Sequence, residues 1–438
     1  MGGLLFVNAA QVVTCVGPPR ARRGAEMQDA AVRTGVAVAT RGGTIAAVGS
    51  PRELEPRFPR AEVVDCAGGL LTPGLVDSHT HAVFGRPRYE EQEQRAAGLD
   101  YMEIARRGGG IHASVRDLRA RGEAELYQLA VARLAGLAAH GVTTVEIKSG
   151  YGLTVEDEVK TLRVIARLAG ALPLRIVPTW LGAHEIPLEY RNAPNGRADY
   201  VDLLIRVMLP RVAGDRLARF ADVFCEAGVY TPEESRVILT ASRKAGLALK
   251  LHADELTDSG GAELAAALGA TSADHLAAVS DVGIAALARS PTVATLLPGT
   301  MLFLGKSTRP PARRLIDAGV PIALATDFNP GTSPTVNFPL ILTLAVSELR
   351  LSAAEAFVAA TVNGAAALAL ADRVGQLAPG FSADLALFDA EDIRELPYWY
   401  GDRRCRASWA RGKPCHSREL GLILDADPSR GEEAPSPP

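Results

Sequence analysis

Eight short apolar runs recur between residues 74 and 327, parted by longer Ala-, Leu- and Arg-rich stretches with helical spacing, and this alternation limits the fold more than any other feature. The runs are GLVDSH, TTVEIKS, RIVPTW, ADVFCEA, LALKLHA, TSADH, TVATLLP and PIALATD. AELYQLAVARLAGLAAHG and VEDEVKTLRVIARLAGA exemplify the stretches between them. Strands buried on both faces read as continuous apolar runs, and parallel neighbours need a crossover helix. Eight such units predict an α/β fold, a (β/α)8 barrel of the TIM type, with its chemistry at the C-terminal ends of the strands. One long insertion, through YMEIARRGGGIHASV, follows the first run.

Both chain ends follow a different pattern. LLFVNAAQVV, GVAVATRGGTIAAVG and AEVVDCAG are short β-like pieces separated by Gly-, Pro- and Arg-rich turns, and SADLALFDA and CRASWARGKPC repeat that pattern near the C-terminus. The two ends are expected to build one small β-sandwich. Residues 1–72 would form its first part, 73–372 the barrel and 373–428 its second part, leaving 429–438, with its GEEAPSPP, as a disordered tail.

With 438 residues, 47% hydrophobic and 22% charged, the chain can bury a large core, and its composition indicates neither disorder nor a fibrous repeat. A net charge of -3 with scattered Lys and Arg predicts no nucleic-acid partner and no anionic membrane surface, which leaves a small molecule as the expected partner. No basic segment precedes the first apolar residues and no apolar run approaches a membrane span, so a cytoplasmic location is expected. Cys15, Cys66, Cys225, Cys405 and Cys415 are odd in number and lack CxxC spacing, which reads as free thiols.

In PGLVDSHTH, residues i and i+2 of a strand share a face, so His79 and His81 are expected to project together from the top of the first strand. LALKLHADE closes the fifth strand with His252 and then Glu255, TSADHL the sixth with His275, and PIALATDF the eighth with Asp327. Each has an ordinary structural explanation when taken singly: an imidazole bonds a loop, and an Asp after an apolar run caps a turn. His140 in AAHGVTT sits where a helix stops and suits its dipole, His112 illustrates the same alternative, and His416 is expected on the surface. The combination, in this order and at strand ends, favours a metal site.

These residues resemble the amidohydrolase superfamily, across the β unit and the barrel together. More narrowly, DSHTHAVFGRPRYEE, DYMEIARRGGGI, TTVEIKSGYGL, PTWLGAHEIP, LHADEL, SADHL and ATDFNPGTSP are similar, in order, to the imidazolonepropionases of histidine degradation. The resemblance implies one Zn2+ or Fe3+ per subunit, held by His79, His81, His252 and Asp327. It implies substrate contacts from Arg88, Tyr151, His184, Glu255, Asn329, Gly331 and Thr332, and catalytic roles for Glu255, His275 and Asp327 around the reactive water. No position departs from the family pattern. The substrate would be 4-imidazolone-5-propanoate, whose ring amide C–N bond is hydrolysed to N-formimidoyl-L-glutamate, and the assembly a homodimer.

Arg88 and Tyr151 answer the propanoate, because a guanidinium matches a carboxylate bidentately. Dinuclear members of the superfamily use a carboxylated lysine on the fourth strand, whereas ADVFCEAG offers Cys225 and Glu226 there and no lysine. A single ion is therefore expected, with His275 left for hydrogen bonding. Another mononuclear amidohydrolase, such as a deaminase of a nucleobase-like ring, would use the same HxxE and terminal Asp, but such a ring carries no carboxylate for Arg88. A catalytically silent barrel of the superfamily would lack ligands, and all four are present.

Overall fold

In the computed structural model, residues 3–99, 103–104, 107–191 and 193–418 are described. The expected tail 429–438 lies outside them, as does part of DYMEIARRGGGI. The barrel strands are β8 (Leu75–Asp77), β9 (Val142–Lys148), β10 (Arg175–Ala183), β11 (Phe220–Cys225), β12 (Ala248–Ala253), β13 (Ser272–His275), β14 (Val293–Leu296) and β15 (Ile322–Leu324). All eight runs singled out in the sequence form these strands, paired in parallel in sequence order from β8 to β15.

The two end strands close the barrel differently from the rest. A single parallel bridge joins Thr80 to Phe328, where the His81 N–H donates to the Phe328 carbonyl at 2.8 Å and the Asp327 N–H to the His79 carbonyl at 3.0 Å. Lower down the Asp77 carboxylate takes the place of a backbone ladder, accepting the Thr326 N–H at 3.0 Å and its hydroxyl at 2.6 Å.

The helices outside the sheet start where the sequence supplies caps. The Thr154 hydroxyl accepts the Asp157 N–H at the head of Val155–Ala171, with Glu156, Asp157 and Glu158 in the first turn against the helix dipole. Thr231 and Glu234 form a capping box before Pro232–Lys244. Both helices bury an apolar face on the strands, in the continuous core that also holds Val145, Ile147, Leu249 and Leu251.

The chain ends form two sheets. One holds β1 (Leu4–Val7), β4 (Ala37–Arg41), β5 (Thr44–Gly49) and β6 (Glu62–Asp65). The other joins β2 (Gln11–Val13), β3 (Val32–Arg33) and β7 (Leu70–Pro73) to the C-terminal β16 (Leu385–Phe388), β17 (Cys405–Ala410) and β18 (Lys413–Ser417). Phe6, Val38 and Ile45 of the first pack against Val12, Leu71, Leu385 and Trp409 of the second, and the Phe6 and Trp409 rings meet edge to face at 5.0 Å. LLFVNAAQVV is thus two strands in different sheets, with Asn8 at φ 59° between them. Gly74 carries the chain from the sandwich into the barrel, where a Cβ would collide with the Thr143 side chain. His416, expected on the surface, is buried on β18 because the hairpin folds its face inward.

Candidate active site

His79 and His81 lie just past β8, His252 is on β12, His275 ends β13, and Asp327 follows β15. All five are buried. The Asp327 Oδ1 is 3.5 Å from His79 Nε2 and 3.6 Å from His81 Nε2. The His252 ring centroid lies 4.5 Å from that of His79 and 5.6 Å from that of His81. Ligand atoms of His79, His81 and Asp327 fall within 4.8 Å of one another, and so do those of His79, His252 and His275. His275 therefore stands as close to the cluster as the expected ligands do.

The hydrogen bonding of these rings fits a metal. The Nδ1 of His79 is hydrogen-bonded to Asp274 Oδ2 at 2.7 Å, and that of His252 faces Asp222 Oδ2 at 3.0 Å without aligned hydrogen-bond geometry, while Nε2 of both rings is buried without a hydrogen-bond partner. A carboxylate on Nδ1 fixes the tautomer that leaves the Nε2 lone pair free, the usual arrangement behind a metal-bound imidazole. The Thr300 hydroxyl donates to Asp327 Oδ2 at 2.7 Å, which leaves Oδ1 facing the histidines. Three imidazoles and a carboxylate are a donor set suited to one first-row ion.

Burial sets the charge states. It pushes His79, His81 and His275 well below the usual imidazole range, and His184 to about 3, so these rings are neutral. Burial raises the Asp327 carboxyl to about 6. Burial, helped by Asp327 and Glu226, lifts Glu255 well above the carboxylate range, and its Oε2 sits 3.6 Å from His275 Nε2. His275 (φ 80°) and Asp327 (φ 51°) are non-glycine residues in the left-handed region, a strain typical of working sites.

A cavity of about 510 Å³ opens on this cluster. His81, His252, His275, Glu255 and Asp327 reach its wall, as do Arg88, Tyr151, His184, Asn329 and Thr332. His79 and Gly331 are not among its lining residues. The Arg88 backbone N–H donates to the Pro330 carbonyl at 3.0 Å, and its Nη1 donates to Ser114 Oγ at 3.3 Å, with Glu91 3.4 Å from Nε. Gly331 packs against the Arg88 guanidinium so closely that a Cβ would collide with it. Asn329 ties the loop together: Oδ1 accepts the N–H groups of Gly331 and Thr332 at 2.9 and 2.7 Å, and Nδ2 donates to the Asp327 carbonyl at 2.7 Å. His184 stacks on His81 at 5.1 Å, and its Nδ1 lies 2.9 Å from the Gly150 carbonyl. A larger cavity of about 920 Å³ lies in the sandwich and contains none of these groups.

A model of the amidohydrolase family matches residues 85–416, and one described as the bacterial imidazolonepropionase-like composite domain matches residues 37–61. The chain is 48% identical to an imidazolonepropionase of Symbiobacterium thermophilum over 91% of this chain and 93% of that one. It is 47% identical to an imidazolonepropionase of Geobacillus kaustophilus over 91% and 94%. The chain belongs to the imidazolonepropionase family of amidohydrolases. Membership makes it a hydrolase and implies a bound metal. An adenosine deaminase from Xanthomonas campestris with bound zinc shares the fold, with a TM-score of 0.71 at 20% identity over 98% of this chain and 95% of that one.

In this member of the imidazolonepropionase family several groups near the site escape the sequence reading. Asp222 and Asp274 support His252 and His79 from the barrel interior, among Glu146, Lys148 and Lys250, all buried. Burial alone would lower Lys148, but Asp222, Glu146 and Asp274 more than offset it and hold its ammonium above the usual range. The available signal was charge at alternate strand positions, Glu146 and Lys148 in VTTVEIK and Lys250 with His252 in ALKLHA. His112, given no chemistry from sequence, lines the cavity with Nε2 unpartnered. The fourth strand carries no lysine, and the buried ammonium groups come from β9 and β12.

Proposed function

We propose that this chain hydrolyses the ring amide C–N bond of 4-imidazolone-5-propanoate to N-formimidoyl-L-glutamate, a step of L-histidine degradation to glutamate. The observation that carries the reading is one cavity whose wall holds both the His and Asp cluster and the Arg88 guanidinium. A metal centre and a carboxylate anchor thus face the same small space. His79, His81, His252 and Asp327 would hold one ion, zinc or iron(III). When bound, that ion acidifies a water molecule and polarises the ring carbonyl.

The remaining work falls to side chains. Arg88 and Tyr151 clamp the propanoate, with His184, Asn329 and Thr332 bounding the ring and Gly331 keeping the loop close. Glu255 accepts a proton from the attacking water and passes it to the departing ring nitrogen. The new C–O bond replaces the broken C–N bond, and the carbonyl carbon leaves as a carboxylate. His275, beside Glu255, donates to the oxygen on which negative charge develops.

Elemental analysis of the desalted protein, paired with an ultraviolet assay of imidazolone loss, tests this reading. About one zinc or iron per chain and chelator-sensitive loss of imidazolonepropanoate are expected. Close to two ions per chain would sink the mononuclear site. Metal-loaded protein that ignores this substrate yet deaminates a nucleobase-like ring would replace the reaction.

A further inference from the structure

The interior layers of a (β/α)8 barrel are normally filled by branched apolar side chains. Here the layer beneath the histidines is charged. Lys148 Nζ lies 2.7 Å from Glu146 Oε1, 2.8 Å from Asp222 Oδ2 and 3.7 Å from Asp274 Oδ2, and none of these side chains has exposed surface. Lys250 Nζ sits 3.4 Å from Asp274 and donates to the Ser78 carbonyl at 3.0 Å, but no contact joins it to Asp222 among the described residues. A buried ion cluster is a poor source of stability, since well-packed apolar residues serve as well or better. Its shape offers another use. Asp274 reaches His79 Nδ1 and Asp222 reaches His252 Nδ1, from strands β13 and β11, and Lys148 on β9 is the cation in contact with both carboxylates.

We propose that Lys148 is a positioning residue, a bridge between Asp222 and Asp274 that holds both carboxylates against Nδ1 of His252 and His79 and so aims both Nε2 atoms at the metal. It supplies the counter-charge that lets two acids sit side by side behind neutral rings. Removing it leaves them to repel each other or to swing away, and each swing carries an imidazole with it. The inference rests on the ligand set proposed above.

Zinc affinity, measured by competition with a chromogenic chelator, provides the test, with nitrogen-resolved NMR of the imidazole N–H protons alongside. Lys148→Met should keep the far-ultraviolet dichroism of the parent, bind zinc about 10- to 100-fold more weakly, and change the Nδ1–H signals of His79, hydrogen-bonded to Asp274 in the parent, and of His252, which faces Asp222. A folded Lys148→Met protein with parental zinc affinity and unchanged Nδ1–H signals would overturn the bridge while leaving the ligand set standing. A parent protein that binds no zinc would overturn the ligand set and this inference with it. Should Lys148→Met fail to fold, Asp222→Asn, Asp274→Asn and the double variant decide. A shared bridge predicts that the double variant's loss of affinity is at least about threefold smaller than the product of the single losses. Losses that multiply independently would overturn it.

Discussion

Glu255 lies three residues beyond His252, just past the strand that carries the histidine, yet their surroundings divide their work. His252 has a carboxylate at Nδ1 and an unpartnered Nε2, the environment of a ligand. Glu255 has no such support, faces His275, and is held well above the carboxylate range by burial and by Asp327 and Glu226. Glu255→Gln keeps the shape and removes the proposed base, so metal content should stay parental while turnover falls by about 100- to 10,000-fold. Metal analysis and the imidazolone assay on one folded preparation separate the two effects, and a metal-depleted variant would recast Glu255 as a ligand or its support. Both residues were legible in LHADEL because they end a strand, where polar groups stand out against an apolar run. Asp222 and Lys148 were not, because a charged residue inside a strand carries no mark of which face it takes until the barrel closes around it.

The eight strand runs could be read from sequence because strands buried on both faces leave mostly apolar runs, even where Glu146, Lys148, Asp222 and Lys250 interrupt them. The sandwich ends were harder. LLFVNAAQVV gives no sign that Asn8 turns the chain from one sheet into the other, since a left-handed residue costs little to Asn and changes no periodicity. The loop after β15 shows how an element positions a side chain. Asn329 uses its amide to fold the loop, and Gly331 leaves just enough room for Arg88. Gly331→Ala should therefore displace the guanidinium without touching the metal cluster. The loss of one charge-assisted pair, about 1.5–3 kcal/mol, corresponds to roughly a 10- to 150-fold rise in KM for the carboxylated substrate. Steady-state kinetics would show it, and an unchanged KM would take Arg88 out of substrate binding.

Over the whole molecule all five cysteines are free and buried. Burial pushes Cys15, Cys66, Cys405 and Cys415 up to about 12 and Cys225 to about 11. A group whose folded pKa is raised contributes stability below its unfolded value and loses it as the pH climbs towards the folded one. The unfolded chain releases thiol protons from about pH 9, whereas the folded chain retains them, so stability should fall as pH rises above 9. A lower thermal midpoint at pH 10 than at pH 8, with thiols that react with a disulfide reagent only after denaturation, is the expected outcome. Fast labelling of the native protein would show that these sites open locally.

The joint between the first and last barrel strands gives the site a mechanical meaning. Along most of the sheet, neighbours are laced by parallel ladders, but there the hoop is fastened by one bridge at Thr80 and Phe328 and by the Asp77 carboxylate. His79 and His81 sit on one lip of that joint and Asp327 on the other. A cation held there by the proposed ligands would work as a clasp between the two lips, so that withdrawing it should slacken the hoop as well as stop the chemistry.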